Sequence, residues 1–443
     1  RGLELATGEH RERLVAIADR LVGESLLPRY LAEADDPPTD PVRILQNIRL
    51  IPLFTGGRLA ALIDHPGLAT IRRLADDAVR LWLESRRDGY TEDVAYDGYL
   101  IEHLLQWLAA SPNVAADEEI RRSARSWAAT TNPGRPWIQA PLGDTEPEMT
   151  QWLTVIARVA AEQQDAALAA WCRTVPPAEL PSAALTPLLV SGPNTPDDPN
   201  TPDDPDAPDG SAPGRWPGPG AVRQEAAVAL RGRLDDHPGD EVLAAVSTPR
   251  MEIGHLHHDA GQVVLGWRGH WWITDPGYQQ YRSGQERDFT LDPAAHNVPV
   301  IGGVAQQRRD AAVEQVGPAE AVVDLAGCYP IDGLAARRTV RLSGRTVLVS
   351  DEIGGVDAGT EVLTHWLVPG ELSWRFLDGW ARLSDGSGAA VWLGRAGGAV
   401  GPEQLARHPG SRGPLTLTVP TTPGRTDWLF VLDPEGSWQP PES

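Results

Sequence analysis

The chain has 443 residues, of which 41% are apolar, and its 61 acidic against 39 basic residues give a formal charge of -22 at pH 7. This length predicts two domains with a linker, and the acidic balance argues against nucleic acid or an anionic membrane surface as a partner. Every basic residue is arginine, which excludes lysine Schiff-base chemistry, lysine-dependent phosphate loops and kinase-type lysines.

Apolar residues recur at spacings of three and four through the first part of the chain. The clearest stretches are LVAIADRLV, ILQNIRLIPLF, IRRLADDAVRLWLES, YLIEHLLQWLAAS and MTQWLTVIARVAAEQQDAALAAW. This spacing is typical of amphipathic helices joined by short Pro, Gly and Asp breaks. We therefore predict an all-helical domain over residues 1–190.

One of these helices carries a candidate for proton transfer. In DGYLIEHLLQW (97–107), Asp97 is a plausible N-cap, and Leu100, Leu104 and Leu108 form the apolar stripe. Tyr99 and His103 lie four apart on another face, with Trp107 one turn further along. Such a ladder serves either packing or a site.

The composition changes at residue 191 and again at about residue 221. Residues 191–220 repeat NTPDDP and offer almost nothing to bury, which predicts an acidic, Pro-rich disordered linker or loop insertion. Beyond it, short period-two runs such as VVLGW, RTVRLSG, TVLVSDEI and DWLFVLD alternate with Gly, Pro and Asp turns. We predict an antiparallel β-sandwich or layered sheet over residues 221–443, so the fold class is α+β multidomain.

The stretch GHLHHDAG (254–261) concentrates imidazole beside a carboxylate. On a strand, His255, His257 and Asp259 would share one face, while His258 would point to the other. Such an alignment suits either a metal site or an acid–base site.

A second carboxylate and a third imidazole follow downstream. A hairpin turning at Arg268–Gly269 carries Asp275 at the end of its second strand, and His296 comes next. A regular hairpin would pair Asp275 with Gln262, so the chain must bend near residues 260–261 to reach His257. Two imidazoles and a carboxylate form a standard zinc set, while polar residues on a sheet face are the alternative.

The sequence carries few signs of other site types or of targeting. Cys172 and Cys328 have no metal or redox spacing and are predicted to be buried small hydrophobes. No apolar stretch reaches the roughly 20 residues that a membrane span needs. The N-terminus lacks a secretory pattern and begins with Arg, so a removed signal or a truncated start stays open, and with it the localisation.

Longer stretches of the second half resemble a known family. HLHHDAGQVVLGWRGHWWITDPGYQQY, RDFTLDPAAHNVPVIGG and GCYPIDGLAARRTVRLSGRTVLVSDEI are similar, in this order, to the sheet domain of heparinase II/III-type polysaccharide lyases. In the first half, DGYLIEH resembles a motif of alginate, hyaluronate and chondroitin lyases, and PLGDTEP resembles a heparinase-like loop. The resemblance implies an incomplete (α/α) toroid followed by a β-sandwich.

The resemblance also implies roles for particular residues. His257, Asp275 and His296 correspond to zinc ligands, and His255 to an active-site histidine facing the cleft. His103 corresponds to a histidine that stabilises the uronate or assists the base, Asn47 to an asparagine that neutralises the uronate carboxylate, and Tyr281 to a motif tyrosine. The implied reaction is β-elimination from a uronic acid unit.

The expected helical base departs from the family pattern. The residues after His103 read LLQWLAASPNV and contain no tyrosine. Tyr99 could substitute, Tyr278 or Tyr281 could act from the sheet side, or the activity could be lost. Arg135 in NPGRPW and Trp107 are further candidates for substrate binding, as is Tyr278 if it stacks on sugar.

The resemblance implies a lyase that acts on an acidic oligosaccharide or polysaccharide, or on a small acidic substrate if the scaffold has been recruited to another elimination. A non-catalytic glycan-binding or scaffold protein that keeps the zinc-braced sheet is the alternative. A metal hydrolase is a weaker reading, since no second carboxylate cluster supplies a base.

Overall fold

The computed structural model describes residues 7–35, 41–146, 149–184, 218–278 and 284–441. Within these ranges helices come first and antiparallel strands second, as predicted. Residues 191–217 of the predicted linker and Tyr281 lie outside the described residues, so the domain boundaries at 190 and 220 stay predictions. The helices are α1 (Gly8–Arg20), a π-helix (Leu21–Leu26), α2 (Leu27–Asp35), α3 (Pro41–Leu45), α4 (Asn47–Leu62), α5 (Leu68–Arg87), α6 (Asp93–Leu108), α7 (Val114–Ala129), α8 (Gln151–Glu162) and α9 (Ala166–Cys172).

Helix α6 buries the predicted apolar stripe, but it begins earlier than its sequence suggested. Leu100, Leu104 and Leu108 belong to the helical core. The helix begins at Asp93, so the prediction of Asp97 as its N-cap was wrong. Asp97 lies inside the helix instead, and its carboxylate is 2.6 Å from the Arg86 guanidinium in the protein interior. A buried cation outside the helix therefore decided the role of Asp97.

The first half is not entirely helical, contrary to the prediction. Residues after α7 form a small antiparallel hairpin from β1 (Thr131–Asn132) and β2 (Arg135–Gln139). Gly134 makes the turn with a φ of +95°, a value that favours glycine. An added Cβ there would lie 2.8 Å from the backbone nitrogen of Gly269, so this turn meets a turn of the second half directly.

The described residues of the second half form three antiparallel sheets. Its strands are β3 (Gly220–Arg223), β4 (Ala227–Leu234), β5 (His237–Ser247), β6 (Val263–Trp267), β7 (His270–Ile273), β8 (Pro299–Ile301), β9 (Ala312–Gly317), β10 (Glu320–Asp324), β11 (Ala335–Ser343), β12 (Thr346–Gly354), β13 (Val362–Val368), β14 (Ser373–Leu377), β15 (Trp380–Ser384), β16 (Ala390–Arg395), β17 (Leu405–Ala406), β18 (Leu415–Thr421) and β19 (Gly424–Asp433). One more helix, α10 (Gly284–Leu291), interrupts them. The sheet orders are β14-β15-β16-β19-β12-β11-β10-β9, β17-β18-β13-β8 and β3-β4-β5-β6-β7.

The five-stranded sheet is the middle layer of the molecule. Side chains alternate between the two faces of a strand, so neighbouring residues of β4 join different cores. Val228 and Leu230 pack with residues of the other two sheets. Ala227 and Ala229 pack with Ala129, Ala140 and Leu142 of the first half. This sheet consequently fixes the helical part against the rest of the strands.

Cys172 and Cys328 are free and buried, as predicted. In the part of the chain that the structure describes, no helix has both the length and the apolar character needed to cross a bilayer.

Candidate functional site

The imidazole-rich stretch lies in a loop and not on a strand. Residues 248–262 connect β5 to β6 without strand pairing, so the predicted strand face was wrong. The predicted bend is confirmed: Gly261 has a φ of +77°, and the Gln262 amide donates to the Asp259 carbonyl over 2.8 Å. The hairpin turn at Arg268 and Gly269 is also confirmed, with φ values of 51° and 79°.

A loop of the helical half docks against this stretch. The Asp144 amide donates to the His255 carbonyl over 2.9 Å. Gly143 has a φ of +55°, and an added Cβ would lie 2.7 Å from the same carbonyl. The Thr145 hydroxyl donates to the Asp93 carboxyl group at the start of α6 over 2.7 Å. The positive φ of Gly143 and its close approach to the His255 carbonyl therefore require glycine at position 143.

Asp144 is the centre of a buried polar group that joins both halves. One of its oxygens lies 3.1 Å from His255 Nδ1 and the other 3.0 Å from His257 Nε2. The Arg287 guanidinium donates to both oxygens, the shorter bond being 2.6 Å. Burial opposes ionisation, but the hydrogen bonds from His255, His257 and Arg287 outweigh it and hold the pKa of Asp144 well below its usual range.

A cluster of aromatic rings lies on one side of His255. The Tyr96 ring stacks on its imidazole with centroids 3.5 Å apart and an interplanar angle of 12°. The Tyr278 ring meets Tyr96 edge to face at 6.2 Å, and the Arg287 guanidinium lies over Tyr278 at 5.5 Å. Tyr99 contacts Tyr96 from the next turn of α6, at 6.3 Å. The phenols of Tyr96 and Tyr278 and the imidazole of His255 thus form one half-buried wall.

A second carboxyl group closes the other side of His255. Glu92 Oε2 lies 3.7 Å from His255 Nε2 and accepts a 2.9 Å hydrogen bond from the Asn47 side chain. The backbone N–H of Asn47 and the Tyr90 hydroxyl donate to the other oxygen, Oε1, over 2.7 and 3.0 Å. Burial, with the nearby Asp97 charge, raises the pKa of Glu92 to about 8 in spite of these donors. Glu92 is therefore largely protonated at neutral pH.

The predicted metal ligands converge. His257, Asp275 and His296 are buried, and each offers a donor atom within 4.8 Å of those of the other two. The His257 and His296 ring centroids are 5.2 Å apart, and His296 Nδ1 lies 2.8 Å from Asp275 Oδ2.

The donor set fits a divalent metal ion. Nδ1 of His257 and Nε2 of His296 are buried without a hydrogen-bond partner within the described ranges. A buried nitrogen without a hydrogen-bond partner costs free energy, so binding of a metal ion by these two nitrogens would remove that cost. Two imidazoles and one carboxylate also match the N and O ligands that zinc accepts.

Two buried residues hold these ligands in place. The Asn297 side chain donates to the Val263 and Thr274 carbonyls over 2.9 and 2.8 Å, joining β6 to the chain beyond β7. Arg338 donates to the Gly261 and Asn297 carbonyls over 2.9 and 2.5 Å and forms an ion pair with Asp351. Because both lie in the sheet core, the positions of His257, Asp275 and His296 depend on the packing of several strands.

The structure brings together some of the sequence-predicted site residues and places others elsewhere. Asn47, His255 and Tyr278 lie in one polar and aromatic group, with Tyr99 at its edge. Trp107 packs in the helical core against Phe54 with 2% of its surface exposed, and this position gives no support to its predicted role in substrate binding.

His103 and Arg135 lie apart from this group by their described contacts. His103 Nδ1 lies 2.9 Å from the Tyr99 carbonyl of its own helix. The exposed Arg135 side chain packs against the turn at Gly269. A Cβ added at Gly269 would lie 3.3 Å from Cγ of Arg135. Their predicted roles gain no support from these contacts.

Sequence reasoning missed four residues of the group. Tyr96 lies one residue before the DGYLIEH motif and Glu92 five residues before it, while Asp144 is in PLGDTEP and Arg287 opens RDFTLDPAAHN. The last two motifs had been noticed for their resemblance, but no spacing argument gave their side chains a partner. Tyr96 carried no signal, since a tyrosine after the histidine was expected.

A comparison with protein families identifies the second half of the chain. Residues 241–426 match the family model described as "Heparinase II/III-like, C-terminal". This region is a heparinase II/III-like C-terminal domain. The heparinase II/III-like domain supplies His255, His257, Asp275 and His296, while Asn47, Tyr96 and Asp144 come from the helices and loops before it. No curated protein sequence matches the chain.

Solved structures of lyases share the fold over nearly the whole chain. A heparinase III matches 97% of this chain and 69% of its own, with a TM-score of 0.63 and 13% identity. A second heparinase III matches 88% and 60%, with a TM-score of 0.61 and 12% identity. The heparan sulfate lyase HepC from Pedobacter heparinus matches 89% and 60%, with a TM-score of 0.59 and 12% identity.

At these identities the likeness shows the fold alone. This chain spans about 60% of the length of the second heparinase III and of HepC.

Proposed function

We propose that the protein is a polysaccharide lyase that cleaves an acidic, uronate-containing glycan by β-elimination. The observation that carries this proposal is the group formed by Asn47, Tyr96, His255 and Tyr278 where the helical half meets the heparinase II/III-like domain. The architecture proposed for the activity is an incomplete (α/α) toroid and an antiparallel β-sandwich, with the substrate cleft between them.

The reaction sets three requirements for the site. The C5 proton of a uronate is weakly acidic, so its carboxylate must be neutralised while negative charge develops. A base then takes the C5 proton, the C4–O bond breaks as the C4=C5 double bond forms, and an acid protonates the departing oxygen. Amide, phenol and imidazole groups are suited to these tasks.

Asn47 and its neighbour Glu92 suit the first task. One N–H of the Asn47 side chain is bonded to Glu92, which fixes the amide and leaves its second N–H for a uronate carboxylate. Glu92 with a pKa of about 8 is largely neutral near pH 7, so it does not repel an anion. A neutral acid beside a fixed amide supports binding of a carboxylate in this otherwise acidic protein.

Tyr96 and His255 suit the two proton transfers. Their stacked rings place a phenol and an imidazole on one wall, so that one can take the C5 proton while the other protonates the leaving oxygen. Tyr96 is also on α6, the helix that carries the DGYLIEH motif. We assign it the role of the tyrosine that is missing after His103. Tyr278, beside it, offers an aromatic face for a sugar ring.

We further propose that His257, Asp275 and His296 bind zinc. When bound, the ion would supply a fixed positive charge that organises the sheet side of the cleft. His257 and His296 would bind through ring nitrogens that otherwise lack partners. The chemical steps stay with the residues of the cleft wall.

A lyase assay tests this function. The zinc-loaded protein is incubated with heparan sulfate, chondroitin sulfate, hyaluronate and alginate, and the ultraviolet absorbance of the unsaturated uronate is followed. Tyr96→Phe is expected to lower the rate on the accepted polymer by about 10²- to 10⁴-fold, the usual contribution of a general acid or base. Tyr99→Phe, one turn away, is the matched control and should keep most of the activity. Absence of absorbance with every uronate would refute the function.

A non-catalytic glycan-binding protein is the second candidate. It is favoured by residues 104–114, which lack the tyrosine expected after His103. Calorimetric titration with the same polysaccharides separates the two functions. The second candidate would be supported if the wild-type protein binds a polysaccharide without cleaving it and the His255→Ala variant still binds the same polysaccharide.

A further inference from the structure

We propose that Asp144 is a positioning residue that couples zinc binding at His257 to the orientation of His255. The inference rests on the proposed function and its zinc site, and it adds a residue from the helical half to both. Asp144 itself neither binds the metal nor touches substrate. It fixes which nitrogen of each imidazole carries the proton.

The geometry of the carboxylate determines both tautomers. An ionised carboxylate only accepts hydrogen bonds, so each imidazole nitrogen that faces it must donate. His255 therefore carries its proton on Nδ1, 3.1 Å from Asp144, and turns Nε2 towards Glu92. His257 carries its proton on Nε2, 3.0 Å from the other oxygen.

The second tautomer leaves His257 ready to bind a metal ion. With the proton on Nε2, the lone pair lies on Nδ1, which is the buried nitrogen without a partner in the described part of the chain. Imidazole ligands of zinc commonly donate their other N–H to a carboxylate, which orients the ring and raises its basicity. Asp144 occupies this position for His257 and the equivalent one for the cleft residue His255.

Asp144 cannot easily rotate away from either imidazole. Its side chain is fully buried, and the Arg287 guanidinium donates to both oxygens. Its backbone amide is bonded to the His255 carbonyl, and the next residue, Thr145, is tied to Asp93. A change in the His257 ring on metal binding must therefore be transmitted to His255 through one rigid carboxylate.

The substitution Asp144→Asn tests the coupling at nearly constant volume. Asparagine has one accepting and one donating group, so it cannot accept from both imidazoles. We expect the affinity for Zn²⁺, measured by competition with a chromophoric chelator, to fall about 10- to 100-fold, as for loss of other carboxylate partners of zinc-bound histidine. Asp165→Asn is the matched control, because the equally buried side chain of Asp165 caps α9 and pairs with Arg125. Its zinc affinity should equal that of the wild type.

The wild-type protein provides a second test that does not depend on an Asp144 variant. With ¹⁵N-labelled histidine, long-range ¹H–¹⁵N spectra report the protonated nitrogen of each ring, and His255→Gln assigns the His255 signals. We expect Nδ1–H for His255 and Nε2–H for His257, and addition of Zn²⁺ should shift the His255 signals as well as those of the ligands.

The opposite tautomers, or a folded Asp144→Asn protein with unchanged zinc affinity, would overturn the proposal. Neither measurement reads lyase activity. A protein that cleaves no uronate but loses zinc affinity on Asp144→Asn would therefore refute the proposed function and keep this one.

Discussion

Two buried carboxyl groups flank His255, and their surroundings keep one of them ionised and the other neutral near pH 7. Asp144 faces two imidazoles and a guanidinium, which keep it ionised. Burial and the nearby Asp97 charge raise the pKa of Glu92 to about 8, in spite of the hydrogen bonds that Asn47 and Tyr90 donate to it. Environments that separate the pKa values of neighbouring acids are characteristic of sites that handle protons.

Glu92 predicts a pH dependence of stability. Its pKa rises from 4.5 to about 8 on folding, so between these values the unfolded chain has lost a proton that the folded protein keeps. The free energy of unfolding should therefore fall as pH rises from about 5 to 8, by on the order of 4 kcal/mol from this group. Glu92→Gln cannot titrate and should flatten this fall, as measured by urea unfolding at several pH values.

The exposed Glu84, which pairs with Arg80 on α5, provides the control. Glu84→Gln should keep the pH dependence of the wild type. An unchanged slope in Glu92→Gln would show that Glu92 is ionised in the folded protein.

At the scale of elements, the site is made by loops that two glycines allow to approach. Gly143 brings Asp144 against His255, and Gly277 has a φ of +66° with Thr145 only 2.8 Å from where a Cβ would stand. Both contacts join a loop of the helical half to a loop of the sheet half. Loops between rigid elements are a common position for functional side chains.

Gly143→Ala should therefore disturb the site more than it disturbs the fold. The added Cβ is strained by the positive φ and meets the His255 carbonyl at 2.7 Å, so the loop must shift. We expect a loss of stability of about 1–3 kcal/mol and at least a tenfold loss of activity on whichever uronate is cleaved. Gly254→Ala is the control, because no atom lies within 4 Å of its added Cβ. Equal thermal stability and activity of the two variants would contradict this account of the loop.

At the scale of the whole molecule, the buried Arg86 guanidinium joins the two halves. Arg86 on α5 forms ion pairs with Asp97, Glu119 and Glu225 at 2.6, 3.0 and 3.4 Å, and Glu225 belongs to the turn between β3 and β4. Arg231 on β4 of the sheet half donates to the Ala129 and Thr131 carbonyls of the helical half. The position of α6 relative to the sheets depends on such contacts.

Removing the Arg86 charge should destabilise both halves together. Arg86→Met would leave three carboxylates near one another in the interior, and breaking a buried pair in this way costs about 3–5 kcal/mol. Arg80→Met, on the exposed side of the same helix, should cost less than about 1 kcal/mol. Guanidinium unfolding followed by tryptophan fluorescence and by circular dichroism measures the difference. A cost for Arg86→Met no larger than that for Arg80→Met would show that the network does not hold the halves together.

Some features were fixed by local patterns. The period-3.6 stripe of Leu100, Leu104 and Leu108, the period-two strands and the turn at Arg268–Gly269 are properties of neighbouring residues, so the sequence alone predicted them. The bend at Gly261 also followed, because strand register left no other way to bring Asp275 towards His257. The order of motifs in the second half was enough to indicate its family.

Only the tertiary structure decided which residues of the helical half meet these motifs. Tyr96 stacks on His255, and Asp144 bonds two imidazoles more than a hundred positions away in the chain. Asp97 became a buried ion-pair partner, and Trp107 a core residue. Such contacts arise from packing between layers, which periodicity does not encode, because it reports which face of an element is apolar and not what that face will touch.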